Sequence, residues 1–297
     1  MQHYGRRRYD VHHLTRYSYD DVVEAVYNRG FLRPRDTEGQ IVLSSELLVS
    51  PEPDATSEHL DYFGNHSTYL ETRNLHTELA VTCRSTVEVD WPPPDVESLN
   101  RHTVAAAVGE LTDQTDPVVL ADFTLPSPQV ALDVGVRRYA ADILLPERPL
   151  GEALVALFRS IHADFSYRPG ATSVRTTLDE LLHLRQGVCQ DFAHLAVGCL
   201  RSVGLPARYV SGYLETAPPP GREKLQGADA THAWVSVLTP SDGWVDLDPT
   251  NDQFADSRYI VTAWGRDFTD VSPLRGVVYT EAESSELVVE VDIIPLG

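Results

Sequence analysis

Three residues of reactive type stand in an order that can do acyl chemistry: Cys189, His232 and Asp248. Residues 187–204 read GVCQDFAHLAVGCLRSVG. In that stretch Phe192, Leu195, Ala196, Cys199, Leu200 and Val203 recur at the spacing of one apolar helix face. Gly204 and Pro206 supply a stop, so the pattern predicts a helix from about Cys189 to Val203. Cys189 then occupies the first turn, where unpaired backbone N–H groups and the helix dipole favour a thiolate. Downstream, THAWVSVLTPSDGWVDLDPT alternates as a β-hairpin. His232, Trp234, Ser236 and Leu238 fall on one face, and Ala233, Val235 and Val237 on the other. A turn centred near Pro240 sets His232 opposite Asp248. A slip that keeps the parity leaves both on the same face. A carboxylate in that place fixes the imidazole tautomer while the other ring nitrogen serves the thiol.

Each residue also has an ordinary structural explanation. A cysteine at a helix start packs as a small apolar group, a histidine on a strand is satisfied in the core, and an aspartate before Pro249 shapes a turn. Together, in the order Cys…His…Asp, they follow the logic of an activated nucleophile. The other two cysteines lack that company. Cys199 lies on the buried face of the same helix, and Cys83 alternates with Leu79, Val81, Ser85, Val87 and Val89 on one face of a strand, so both are expected as core thiols.

Acyl transfer also needs donors for an oxyanion. The backbone N–H of Cys189 is the first candidate, and Tyr167 (in FSYRPG) or Gln190 is the second. Asp191 is expected to stabilise the helix N-terminus. His194, off the apolar face, is expected to be solvated or hydrogen-bonded. Trp234 and Trp244 share the hairpin face with the triad and are candidate walls of the site, simple packing being the alternative. His12 and His13 point to opposite faces of a strand, which rules out regular chelation of one metal by the pair. No phosphate-binding glycine loop is present, and neither cofactor nor metal is expected.

The elements that must position these residues divide the chain in two. From Tyr9 to Val89 short β-type runs (VHHLTRYSY, DVVEAVYN, QIVLSSELLVSP, HTELAVTCRSTVEV) alternate with turns, predicting an N-terminal antiparallel β domain over 1–91. Trp91-Pro-Pro-Pro-Asp95 ends the last strand, and polar, weakly patterned residues 92–116 are expected to be a linker. In 117–297 the period becomes helical over 129–143 and 149–164, and Thr177-Leu-Asp-Glu180 opens a further helix with a capping signal. After Gly204, strands are expected at 207–214, 231–239, 243–248, 258–264 and 286–294. The fold class is therefore α+β, helices first and an antiparallel sheet after. Pro218-Pro-Pro-Gly221 is a candidate mobile flap. With 297 residues, 42% of them hydrophobic and 23% charged, the chain has the composition of a globular protein. Its formal net charge of −20 disfavours nucleic acid or an anionic membrane as partner. Three cysteines that cannot all pair, the absence of an export signal near Arg6–Arg8, and no membrane-length apolar run lead to an expected cytoplasmic location.

The segments GVCQDFAHLAVGCLRSVGLPARYVSGYL, THAWV and GWVDLDPTN resemble the transglutaminase-like superfamily. GRDFTDVSPLRGV at 265–277, with YDVHHLTRYSYDDVVEA, LRPR and DYFGN, is similar to its bacterial subfamily with an N-terminal β domain. The resemblance implies a papain-like core carrying the cysteine on a helix and the histidine and aspartate on neighbouring strands. It implies Cys189 as nucleophile, His232 as general base and acid, and Asp248 as orienter. The calcium sites of some animal transglutaminases do not carry over, since no acidic loop of that spacing is evident. The expected activity is acyl transfer from a peptide or isopeptide amide of a peptide or protein substrate through a Cys189 thioester. Water is the favoured acceptor, as in a cysteine protease or amidase, with transfer to an amine second. A peptide- or partner-binding module with an inactive triad is the reading from another class. Substrate and oligomeric state are not written in these motifs.

Overall fold

The computed structural model describes residues 3–216 and 230–296. Its N-terminal part is built on one long strand, β1 (Arg7–Gly30), which joins the two β-type runs seen in the sequence. Tyr9, Val11, His13, Thr15 and Val23 face the interior at odd positions, and an irregularity between Val23 and Ala25 re-phases the pleat so that Val26 and Asn28 are buried beyond it. β2 (Gln40–Ser50), β3 (Ala55–Leu60), β4 (His66–Thr72) and β5 (His76–Val89) follow. Every pairing is antiparallel. On β5 the expected face is the buried one: Leu79, Val81, Cys83, Ser85, Val87 and Val89 are at most 5% exposed.

The chain then turns helical earlier than expected. The segment taken for a linker, 92–116, holds α1 (Val96–Leu99) and α2 (Val104–Gln114), capped by Asp95 and Thr103. Leu99, Val104, Ala107 and Leu111 enter the main hydrophobic core. These helices are short and mostly polar outside, and for that reason their periodicity is faint. α3 (Pro117–Thr124), α4 (Val134–Ala141) and α5 (Leu150–Asp164) follow, so only the second half of the helical pattern at 129–143 becomes helix. A two-residue strand β6 (Ser166–Tyr167), α6 (Leu178–Leu184) and β7 (Gln186–Gly187) lead into α7 (Cys189–Ser202). The capping signal at Thr177 is a full capping box with Glu180. β8 (Ala207–Leu214), β9 (Ala230–Thr239), β10 (Gly243–Asp248), β11 (Gln253–Phe254) and β12 (Tyr259–Gly265) form the second antiparallel sheet, in the order β11-β10-β9-β8-β12. The expected flap at 218–221 lies outside the described residues.

α7 packs on β8 and β9 and against α4, α5 and α6. Being enclosed on several sides, it buries Ala193, His194, Val197 and Arg201 as well as the expected stripe. Arg201 is 3% exposed and its guanidinium donates to the carbonyls of Leu125, Ala207 and Arg266. After α8 (Phe268–Val271) the chain returns to the first sheet through β13 (Leu274–Thr280) and β14 (Ser285–Leu296). β1 thus lies between β5 and β14 over its first half and between β4 and β13 over its second. The strand expected at 286–294 in the second sheet therefore belongs to the first. Val291 and Ile293 pack there with Tyr9, Val11 and Val87, and against Tyr213 and Ile260 of the second sheet.

The two sheets meet along β12. Gln40 brackets Val261, its Nε2 donating to the carbonyl and its Oε1 accepting from the N–H, each at 2.8 Å. Asn65 makes the same pair of bonds to Trp264. Arg35 lies 3.3 Å above the Trp264 ring. LRPR and DYFGN are thus the segments that dock the first sheet on the second.

Candidate active site

Cys189 is the first residue of α7 and is partly exposed. What brings it there is a tight approach. β6 pairs in parallel with β7, setting Tyr167 beside Gly187, and a Cβ on Gly187 would stand 2.8 Å from Asp191 Oδ2. Asp191 does what its position predicts, accepting from the Val188 N–H at 2.8 Å and from Thr172 Oγ1 at 2.7 Å, which closes the first turn. The first N–H groups of the helix, those of Cys189 and Gln190, have no intrahelical acceptor and point out of the N-terminus. Gln190 lies half-buried in this turn. Tyr167 is 57% exposed, its ring is 6.5 Å from that of Phe192, and its phenol pKa is raised by partial burial and by the nearby Cys189.

The hairpin of β9 and β10 carries the other two residues. Thr239 opposes Gly243, Leu238 opposes Trp244 and Val235 opposes Leu247. The turn is centred one residue later than the sequence suggests, and Asp248 stands two positions short of the residue across from His232. Parity is kept, so both side chains share a face. His232 Nε2 meets Asp248 Oδ2 at 2.7 Å, with His232 8% and Asp248 0% exposed. The remaining ring nitrogen is left for the Cys189 thiol, which is near enough to help raise the His232 pKa. Burial works against charge on His232, but the Asp248 carboxylate and, after it, the nearby Cys189 outweigh it and lift its pKa to about 10. Asp248 is pulled below the ordinary carboxylate value despite its burial, by His232 and by bonds from Asn251 and Tyr259. A positive imidazolium beside a sulfur favours the thiolate.

Trp234 lines His232 directly, the rings stacked at 6.1 Å, while its Nε1 donates to Asp246 at 2.7 Å. Trp244 is turned elsewhere. It packs edge-on against Phe123 and carries the Arg208 guanidinium 4.2 Å above its ring, on the wall of a 330 Å³ cavity with Trp91 and Pro92–Pro94. His194, expected off the apolar face and solvated or hydrogen-bonded, is hydrogen-bonded but buried. Its Nε2 accepts from the Phe268 N–H and its ring lies 4.8 Å from that of Tyr209. Cys83 and Cys199 are buried, and burial raises both thiol pKa values. His13 is buried between Tyr213 and Thr15, whereas His12 faces outward, as the alternation requires.

Two residues around Asp248 escaped the sequence reading. Asn251 donates its side chain to Oδ2 at 2.6 Å and its N–H to Oδ1 at 3.3 Å, and Tyr259 donates its hydroxyl to Oδ2 at 2.6 Å. The signal for Asn251 was its place in an Asp-Pro-Thr-Asn turn. Tyr259 had none, because its contact is made between strands that are not neighbours.

Two family models match the chain: the bacterial transglutaminase-like N-terminal region over residues 9–88, and the transglutaminase-like superfamily over residues 137–249. An uncharacterized protein of Mycobacterium tuberculosis is 46% identical over 300 residues, covering 98% of this chain and 94% of that one. A protein-glutamine gamma-glutamyltransferase of Pseudomonas aeruginosa is 37% identical over 118 residues, which is 38% of this chain and 18% of that protein. The crystal structure of a candidate cysteine protease from Cytophaga hutchinsonii has the same fold, with a TM-score of 0.80 at 20% identity over 100% of this chain and 93% of that one.

Proposed function

The chain belongs to the transglutaminase-like superfamily, and from that premise we propose that it cleaves a peptide or isopeptide amide by thiol-dependent acyl transfer through Cys189. The carrying observation is the buried His232–Asp248 pair, 2.7 Å apart, with Cys189 near enough to the imidazole to raise its pKa. In this reading the Cys189 sulfur attacks the amide carbonyl, His232 gives its proton to the leaving amine, and the thioester forms. His232 then takes a proton from the incoming acceptor as that acceptor attacks the thioester. Asp248 keeps the ring in the tautomer and orientation both steps need. The Cys189 N–H stands at the helix start where an oxyanion would collect. Tyr167, close enough to respond to Cys189 and tied by backbone pairing to the strand before it, is favoured over Gln190 as the second donor.

Water is the proposed acceptor and a peptide or protein the proposed substrate. Transfer to an amine is the second reading, favoured by the name of the Pseudomonas aeruginosa relative. Among the described residues no helix is long and apolar enough to cross a membrane. A cytoplasmic location is part of the proposal and rests on the three free thiols. The test is mass spectrometry of a peptide library incubated with the protein, with and without a primary amine. Hydrolysis adds the mass of water and is indifferent to the amine, whereas transfer adds the amine. Products that persist with Cys189→Ala overturn the enzyme reading and leave the binding module.

A further inference from the structure

We infer that Tyr259 is a positioning residue that locks the Asp248 carboxylate, and that Gln253 sets the direction of its hydrogen bond. The inference rests on the acyl-transfer reading above. Asp248 Oδ2 accepts three bonds, from His232 Nε2 at 2.7 Å, Asn251 Nδ2 at 2.6 Å and Tyr259 OH at 2.6 Å. Oδ1 accepts from the N–H groups of Thr250 at 2.8 Å and Asn251 at 3.3 Å. An ionised carboxylate offers about four lone-pair positions, so this one is saturated. The donors differ in what they are attached to. Thr250 and Asn251 follow Asp248 in the same turn, and would travel with it. Tyr259 opens β12, at the far edge of the sheet from β11 and β10. It ties the carboxylate to a separate element, and that element is itself held from outside. Trp91 Nε1 donates to the Tyr259 carbonyl at 3.2 Å, and Gln40 brackets Val261.

The proton on the tyrosine has a set direction. Gln253 Nε2 donates to the Tyr259 oxygen at 2.8 Å, leaving the phenol to donate to Asp248. The Gln253 amide is in turn oriented by Arg258 Nη2, which donates to Oε1 at 3.2 Å, and Asp256 grips Arg258 through both its Nε and Nη2. Every bond in the run Arg258, Gln253, Tyr259, Asp248 therefore points the same way, toward the carboxylate that holds His232. Burial and the Asp248 charge push the phenol pKa well above its ordinary value, so it stays a donor.

Tyr259→Phe removes one oxygen and keeps the ring that packs against Trp234 at 5.3 Å and His232 at 5.9 Å. The readouts are the His232 titration, followed by NMR in protein labelled with ¹³C-histidine, and the pH profile of Cys189 alkylation by iodoacetamide. Freed to swing, the carboxylate holds the imidazolium less well. The His232 pKa should fall below the wild-type value, and alkylation at neutral pH should slow about threefold to tenfold as the cation beside the thiol is weakened. Gln253→Glu, at a partly exposed position, replaces a donor to the phenol by an acceptor that competes for its proton. It should shift His232 in the same direction and add nothing on top of Tyr259→Phe. It also serves as the test should Tyr259→Phe fail to fold. If His232 titrates unchanged or higher in both folded variants, Tyr259 only spreads charge or packs, and the inference is overturned. A wild-type His232 that titrates like an exposed histidine would instead remove the triad reading itself.

Discussion

Replacing Asp248 by asparagine separates the charge of the pair from its shape. The wild-type imidazole is lifted to about 10 from its ordinary 6.5, with burial opposing and Asp248 as the main cause. Without the carboxylate only Cys189 still opposes burial, the largest influence, so His232 should fall to 6.5 or below, a change of more than three powers of ten in proton affinity. The amide also faces three donors on what was Oδ2 and two on Oδ1. Whichever way it flips, its own N–H groups meet donors. At pH 7 the cation beside Cys189 is then gone. Loss of that cation should slow Cys189 alkylation at pH 7 by about tenfold or more, because a neighbouring positive charge activates a thiol. The assay is iodoacetamide labelling from pH 5 to 10 with the three cysteines resolved by peptide mass spectrometry. Buried Cys83 and Cys199 are internal standards that stay unlabelled in both proteins. Equal Cys189 rates at pH 7, with an unmoved His232 titration, would refute the reasoning.

Other consequences of the same geometry are open to simple measurements. The His232 pKa is higher in the folded state than in the unfolded one, so its pairing stabilises fully below pH 6.5 and the gain is lost as pH climbs toward 10. Asp248, shifted down, contributes above pH 3.8 and loses its share as pH falls below that. The melting temperature of wild type minus that of Asp248→Asn should therefore shrink from pH 6.5 to 10, and a flat difference would contradict the ion pair. Gly187→Ala drives a Cβ to 2.8 Å from Asp191 Oδ2 and 3.0 Å from Leu181 Cδ1. We expect a loss of about 1–3 kcal/mol in urea unfolding, as for overpacking elsewhere, together with slower Cys189 labelling. A chain ending at Pro273 lacks β13 and β14, uncovers Tyr9 and Val11, and removes Val291 and Ile293 from the shared cluster. Its near-UV circular dichroism should lose the fixed aromatic signal, and a native spectrum would show that the first sheet stands without them.

What local pattern can carry was legible in the sequence. The helix of Cys189, the capping box at Thr177, the buried face of β5 and the shared face of His232 and Asp248 follow from spacings of three, four or two residues along one segment. The hairpin shows how robust such reasoning is. Its centre lies one residue away from the expected one, yet the histidine and aspartate meet, because that displacement moves the register by two and the faces alternate with period two. Short, weakly apolar α1 and α2 carried too little pattern to be distinguished from a linker.

The rest was hidden because it joins residues far apart in the chain. β14 alternates like any strand and nothing in it names its partner. It pairs with β1, some 280 residues upstream, and not with the strands just before it. Tyr259 sits on a strand three places from β10 in the sheet order, so no periodicity connects it with Asp248. The two omissions are linked. β14, with Gln40 and Trp91, keeps the first sheet pressed on the second, and Gln40 and Trp91 bond directly to the strand that carries Tyr259. The N-terminal sheet therefore bears on the candidate site through β12. Weakening that joint, as by Gln40→Ala, should act on His232 only through Asp248, lowering its pKa in the wild type and leaving it unmoved in Tyr259→Phe.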